Sequence, residues 1–88
     1  MRNIPAGARE DAPHDVGTLW TMRRSERSAR CALMTSASDW ELRVLVEGDV
    51  LLTERCNTAA DAFEVAERWR HRMLVRGWQQ VKPGVRIA

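Results

Sequence analysis

Residues Trp40 to Cys56 read WELRVLVEGDVLLTERC, and their alternation decides the fold. Apolar side chains stand at every second position, Trp40, Leu42, Val44 and Val46, up to a Glu47-Gly48-Asp49 break. Val50, Leu51 and Leu52 then resume the run. Strand side chains alternate between faces, and glycine supplies the positive φ that a tight turn needs. The stretch therefore predicts a β-hairpin.

Working outward, the preceding residues Val16 to Arg24, VGTLWTMRR, alternate in the same way. They predict a strand with Thr18, Trp20 and Met22 on one face and Leu19, Thr21 and Arg23 on the other. Arg24 to Ser28 is polar and of hairpin-loop length, and Ala29 to Thr35 returns as a strand with Cys31 and Leu33 opposite Ala32 and Met34. Ser36 to Asp39 is a short polar connector. The four strands are thus expected to run as an up-and-down meander.

Beyond Cys56 the apolar period changes to three and four residues, through Ala62, Phe63, Ala66, Trp69, Met73 and Leu74. Thr58 stands three residues before Asp61 as an N-cap, and Gly77 follows as a left-handed stop. An amphipathic helix over Ala59 to Arg76 results, roughly 27 Å long at the standard rise. Asp61, Glu64 and Glu67 lie toward its start, and Arg68, Arg70, Arg72 and Arg76 toward its end, which offsets the helix dipole. Trp78 is expected to fold back as the apolar contact of the glycine cap. The fold class is α+β: a four-stranded antiparallel meander with one C-terminal helix packed on one face.

Domain organisation follows from what flanks this unit. Met1 to Asp15, with Pro5, Gly7 and Pro13, reads as a disordered leader; residues 16–78 form one domain; residues 79–88, with Pro83 and Gly84, read as a frayed tail. A chain of 88 residues buries a small core, and small domains recruit disulfides, metals or a second subunit. Two cysteines make no disulfide scaffold, so oligomerisation is the remaining route. Cys31 and Cys56 read as small core residues.

The charge excludes little. A net charge of +2 and a pI near 8.9 identify no nucleic-acid binder. Lys82 is the only lysine, a bias that a GC-rich bacterial genome accounts for, although arginine also suits phosphate and carboxylate. No apolar run spans a membrane and no signal peptide opens the chain, so the expected location is cytoplasmic. No nucleophile-base pair, paired-carboxylate motif or phosphate loop points to an enzyme, and no spacing calls for a metal or a cofactor. His14 reads as solvated, His71 as exposed or a partner of Glu67, and Glu41, Glu47 and Glu54 as surface carboxylates with Arg43 and Arg55 as mates.

Two function classes remain. If Trp40, Leu42, Val44 and Val46 face the helix, Leu45 faces away, and consecutive Val50, Leu51 and Leu52 put apolar groups on both faces. Such a surplus marks an interface, and the expectation is a homodimer, a protein-interaction or regulatory module packed through the second sheet face or through paired edge strands. The alternative is a single-stranded nucleic-acid binder, in which Arg23, Arg24, Arg27 and Arg30 hold phosphates and Trp20, Trp40 or Trp78 stacks bases.

The segments LWTMRR (Leu19–Arg24), WELRVLVEGD (Trp40–Asp49) and the helix ending RGW (Arg76–Trp78) resemble small uncharacterised bacterial β-β-β-β-α proteins of no known activity, over Thr18 to Trp78. The element order is also similar to one repeat of the Whirly and PUR-type single-strand-binding folds. That second likeness is one of topology and carries no binding residue.

Overall fold

A computed structural model describes residues 13–37 and 39–81. The leader up to residue 12 and the tail from residue 82 lie outside the described residues. Four strands come first: β1 (His14–Arg24), β2 (Arg27–Thr35), β3 (Trp40–Val46) and β4 (Asp49–Cys56). The helix α1 (Ala59–Val75) follows, and then a short fifth strand, β5 (Gln79–Val81). All neighbours pair antiparallel in the order β4-β3-β2-β1-β5. The α+β class and the meander of the first four strands are as the alternation predicts.

The decisive hairpin closes with a two-residue turn between paired Val46 and Asp49. Glu47 and Gly48 both have positive φ, 54° and 88°, the type I′ geometry whose twist matches that of the strands. Ser28 donates its backbone N–H to the Glu47 carboxylate at 2.6 Å, and Glu47 returns its own N–H to the Ser28 carbonyl at 3.0 Å. These bonds hold a non-glycine residue in the left-handed region, where it costs about 1–2 kcal/mol.

Several expectations need correcting. Among the described residues there are five strands, because Gln79–Val81 pairs with Arg23, Met22 and Thr21 and is no frayed tail. β1 begins at His14, so the last two residues of the expected leader belong to the sheet. The first hairpin loop is tighter than Arg24 to Ser28: Arg24 pairs with Arg27, leaving a two-residue turn, Ser25-Glu26. β1 is also irregular, with register shifts between Asp15 and Gly17 and between Thr18 and Trp20. An extra residue in a strand reverses the alternation beyond it. Thr18 therefore pairs with Ala32 on the open face, while Trp20 and Met22 enter the core with Leu19 packed against it.

The core lies between one sheet face and α1. Trp20, Met22, Ala29, Cys31, Leu33, Leu42, Val44, Val46 and Cys56 meet Ala62, Val65, Ala66 and Trp69. Small Ala62 and Ala66 let the helix approach closely, and the indole Nε1–H of Trp20 donates to the Ala66 carbonyl at 2.9 Å. Val65 takes the place expected for Phe63, which is 49% exposed, and Leu74 also faces outward. The buried stripe is centred on 62, 66, 69 and 73, and positions 63 and 74 sit about 100° round the helix from that line.

The ends of α1 are as the sequence implies. The Thr58 hydroxyl accepts from the Asp61 N–H at 3.0 Å. At the far end Gly77 has φ 98°, its N–H bonds the Leu74 carbonyl, and the Trp78 N–H bonds the Met73 carbonyl, which is the Schellman arrangement. That reversal delivers the chain beside β1. Arg70, paired with Glu67 at 2.7 Å, donates to the Gln80 side chain at 3.0 Å and ties the helix to the new strand. The helix thus leaves one sheet edge, β4, and ends at the other, β5.

Candidate interaction surface

Register decides which side chains share a surface. Residues opposite one another in a ladder point to the same face. The face away from α1 therefore carries Thr18, Thr21, Arg23, Arg30, Ala32, Met34, Glu41, Arg43, Leu45, Val50, Thr53 and Arg55. It is a mixed face, not the continuous apolar one the hairpin suggests. Ala32 and Met34 are buried among polar neighbours. Ion pairs join Arg30 to Asp15 at 3.0 Å, Arg55 to Asp39 at 3.1 Å, and Arg43 to Glu41. Arg43 has the expected mate, but Arg55 pairs with Asp39, and Glu47 serves the turn. Arginine stems cover apolar surface while their heads stay in water, which is how this face manages its apolar residues.

The four proposed interface residues divide. Leu45 is half-buried on the open face, opposite Arg30 on one side and exposed Val50 on the other. A bulge lies between the pairs Val44–Leu52 and Leu45–Val50, so Leu51 is the extra residue of β4. Leu51 and Leu52 turn toward the helix, where they line a groove with Val44, Trp69, Arg72, Met73 and Arg76. The groove holds about 270 Å³. Five of its lining residues are apolar, and Arg72 and Arg76 line it from the helix. Spacing along the helix puts Arg72 and Arg76 on one side, but only the packing shows that this side overlooks Leu51 and Leu52.

The strand edges differ. β5 covers β1 only from Thr21 to Arg23, and the rest of β1 is broken by its bulges. β4 is the other edge, eight residues long, with all its residues exposed except Cys56. Its outer backbone groups have no partner strand among the described residues. Val50, Leu51 and Leu52 on it are 51%, 62% and 46% exposed.

The arginines of the first hairpin also divide. Arg23 and Arg30 lie on the open face, whereas Arg24 and Arg27, which pair with each other one step away, lie on the helix side. Arg30 is occupied by Asp15 and by the Thr18 hydroxyl at 2.9 Å. Trp20 and Trp69 are buried, and Trp40 and Trp78 pack against the core, so the described tryptophans all serve the interior.

Both cysteines are free and buried. Burial pushes the Cys31 thiol up to about 12, with nearby Arg30 pulling weakly the other way. Burial first, and then the charges of Glu54 and Asp61, also raise Cys56, against Arg68. A nucleophilic cysteine needs the opposite shift. His71 is exposed on α1. Among the described residues no group of three or more His, Cys, Asp or Glu side chains is placed to hold a metal, and no helix is long and apolar enough to cross a membrane.

No protein-family model, curated protein or solved structure matches the chain. The geometry above therefore carries the functional argument.

Proposed function

We propose that this protein is a non-enzymatic interaction module that assembles as a homodimer by pairing β4 with β4 of a second copy. The observation that carries this reading is the open edge of β4, eight residues long and bearing three consecutive exposed apolar side chains. An unpaired edge presents a row of N–H and C=O groups that template another strand, and native chains blunt such edges unless they use them. β4 contains no proline, and its one bulge lies near the turn, leaving Leu52 to Cys56 regular.

Strand addition supplies main-chain hydrogen bonds, while alternate side chains supply apolar area. Two-fold antiparallel pairing uses the same patch on both copies, so one sequence satisfies both sides. Pairing through the open face is the poorer route, because it would desolvate three ion pairs, and charge burial returns little. The nucleic-acid reading has less support, since its arginines are split between faces and its tryptophans are packed.

Light scattering on a size-exclusion column across a dilution series tests the proposal. Wild type should elute at twice the 10.1 kDa chain mass and dissociate on dilution. Val50→Lys with Thr53→Lys adds charge along the β4 edge and should give a folded monomer, whereas Leu45→Glu, on the same open face but one strand in from the edge, should leave the dimer in place. A folded wild-type monomer throughout the series, or a lysine variant as dimeric as wild type, defeats it.

A further inference from the structure

Arg72 and Arg76 face the same groove one helical turn apart, and neither makes an ion pair with a described residue. Like charges four residues apart on a helix repel by about 0.2–0.5 kcal/mol. Their place near the helix C-terminus offsets part of that through the dipole. The dipole needs only positive charge, however, and does not account for an apolar trough beneath it. Val44 and Trp69 in it are buried and Met73 is half-buried, so the apolar surface it leaves to water is mainly that of Leu51 and Leu52, 62% and 46% exposed.

We infer that the groove between β4 and α1 binds a small amphipathic carboxylate, an apolar body laid along Leu51, Leu52, Trp69 and Met73 with its anionic head between Arg72 and Arg76. Both halves of the ligand answer an observed feature. The apolar body removes the trough from water, and the carboxylate relieves the like-charge pair while accepting the parallel N–H bonds that a guanidinium offers. Size limits the class. The volume of about 270 Å³ lies just below the ~300 Å³ at which ligand pockets usually begin, so a medium-chain acid or a single-ring aromatic acid fits and a long-chain lipid does not. The groove opens on the helix side of β4 and shares Leu51 and Leu52 with the edge proposed to pair, so binding is read at a dilution where light scattering gives the monomer.

Decanoate, kept below its micelle concentration, is the probe, and NMR of the leucine methyls and tryptophan indoles of the full chain is the readout. Saturable shifts are expected at Leu51, Leu52 and Trp69, with Trp20 unmoved. In Arg72→Gln with Arg76→Gln the decanoate affinity should fall about tenfold or more, the scale of one charged bidentate contact. Arg72→Lys with Arg76→Lys keeps the charge the dipole uses and should lose part of that affinity. Decyltrimethylammonium, with the same tail and opposite charge, should bind at least about tenfold more weakly than decanoate. The absence of saturable shifts, equal binding of the cation, or undiminished binding by the glutamine variant overturns the assignment. A persistent Trp20 indole resonance establishes that each variant is folded.

Discussion

Trp20→Phe tests the join between sheet and helix. The Trp20 indole is 5% exposed, lies in the middle of the core, and donates to the Ala66 carbonyl on α1 at 2.9 Å. Phenylalanine keeps the aromatic ring but removes the donor and, net, two ring carbons. Loss of a neutral hydrogen bond costs about 1 kcal/mol. The Ala66 carbonyl keeps its place in the helix ladder, so no unsatisfied acceptor is added. Two buried carbons at about 0.8 kcal/mol each contribute roughly 1.6 kcal/mol more. The sum, about 2.5 kcal/mol, is a large part of the ~5–15 kcal/mol by which domains are stable. Urea unfolding followed by far-ultraviolet circular dichroism measures it without relying on tryptophan emission. With a slope of about 1 kcal/mol/M for a chain this small, the midpoint should fall by about 2.5 M. Protein concentration must be equal for both chains, because a dimer adds stability by mass action. Trp40→Phe, at a half-buried position, is the control and should cost clearly less. A Trp20→Phe midpoint within about 0.5 M of wild type would refute the reasoning, because the indole would then not anchor α1 to the sheet.

Two further outcomes follow from the same geometry. Gly77→Ala forces a β-carbon into φ 98° and to 3.4 Å from the flexible Arg24 side chain, so the cost should be mainly backbone, about 1–2 kcal/mol, seen as a melting point lower by roughly 4–16 °C. An unchanged melting point would mean that the Schellman turn does not depend on glycine. Cys31, whose thiol is pushed up to about 12 by burial, should resist iodoacetamide in the native state and react once unfolded. Its folded value lies above its unfolded one, so the stability it contributes is complete below the unfolded value near 9.0 and is lost as pH rises from there toward 12. Cys31→Ala should flatten that alkaline limb, and an unflattened limb would assign it to other groups.

Local periodicity made the two hairpins, the helix with its Thr58 and Gly77 boundaries, and the buried side of β3 legible from residues alone, because each depends on neighbours within a few positions. It misled at Thr18, where an extra residue reverses the alternation and only the ladder shows it. β5 was invisible, since three residues hold no pattern and pair only because the turn after α1 brings them to an open edge of β1. The expected interface residues and arginines are exposed or half-buried, and strand pairing distributes each set over two faces. What the sequence by itself determined is therefore the kind and order of the first five elements, set by short-range period and capping. What only the tertiary structure decided is which edge is left open and that Arg72 and Arg76 share a groove with Leu51 and Leu52, because those relations arise between residues twenty or so positions apart and no local pattern records them.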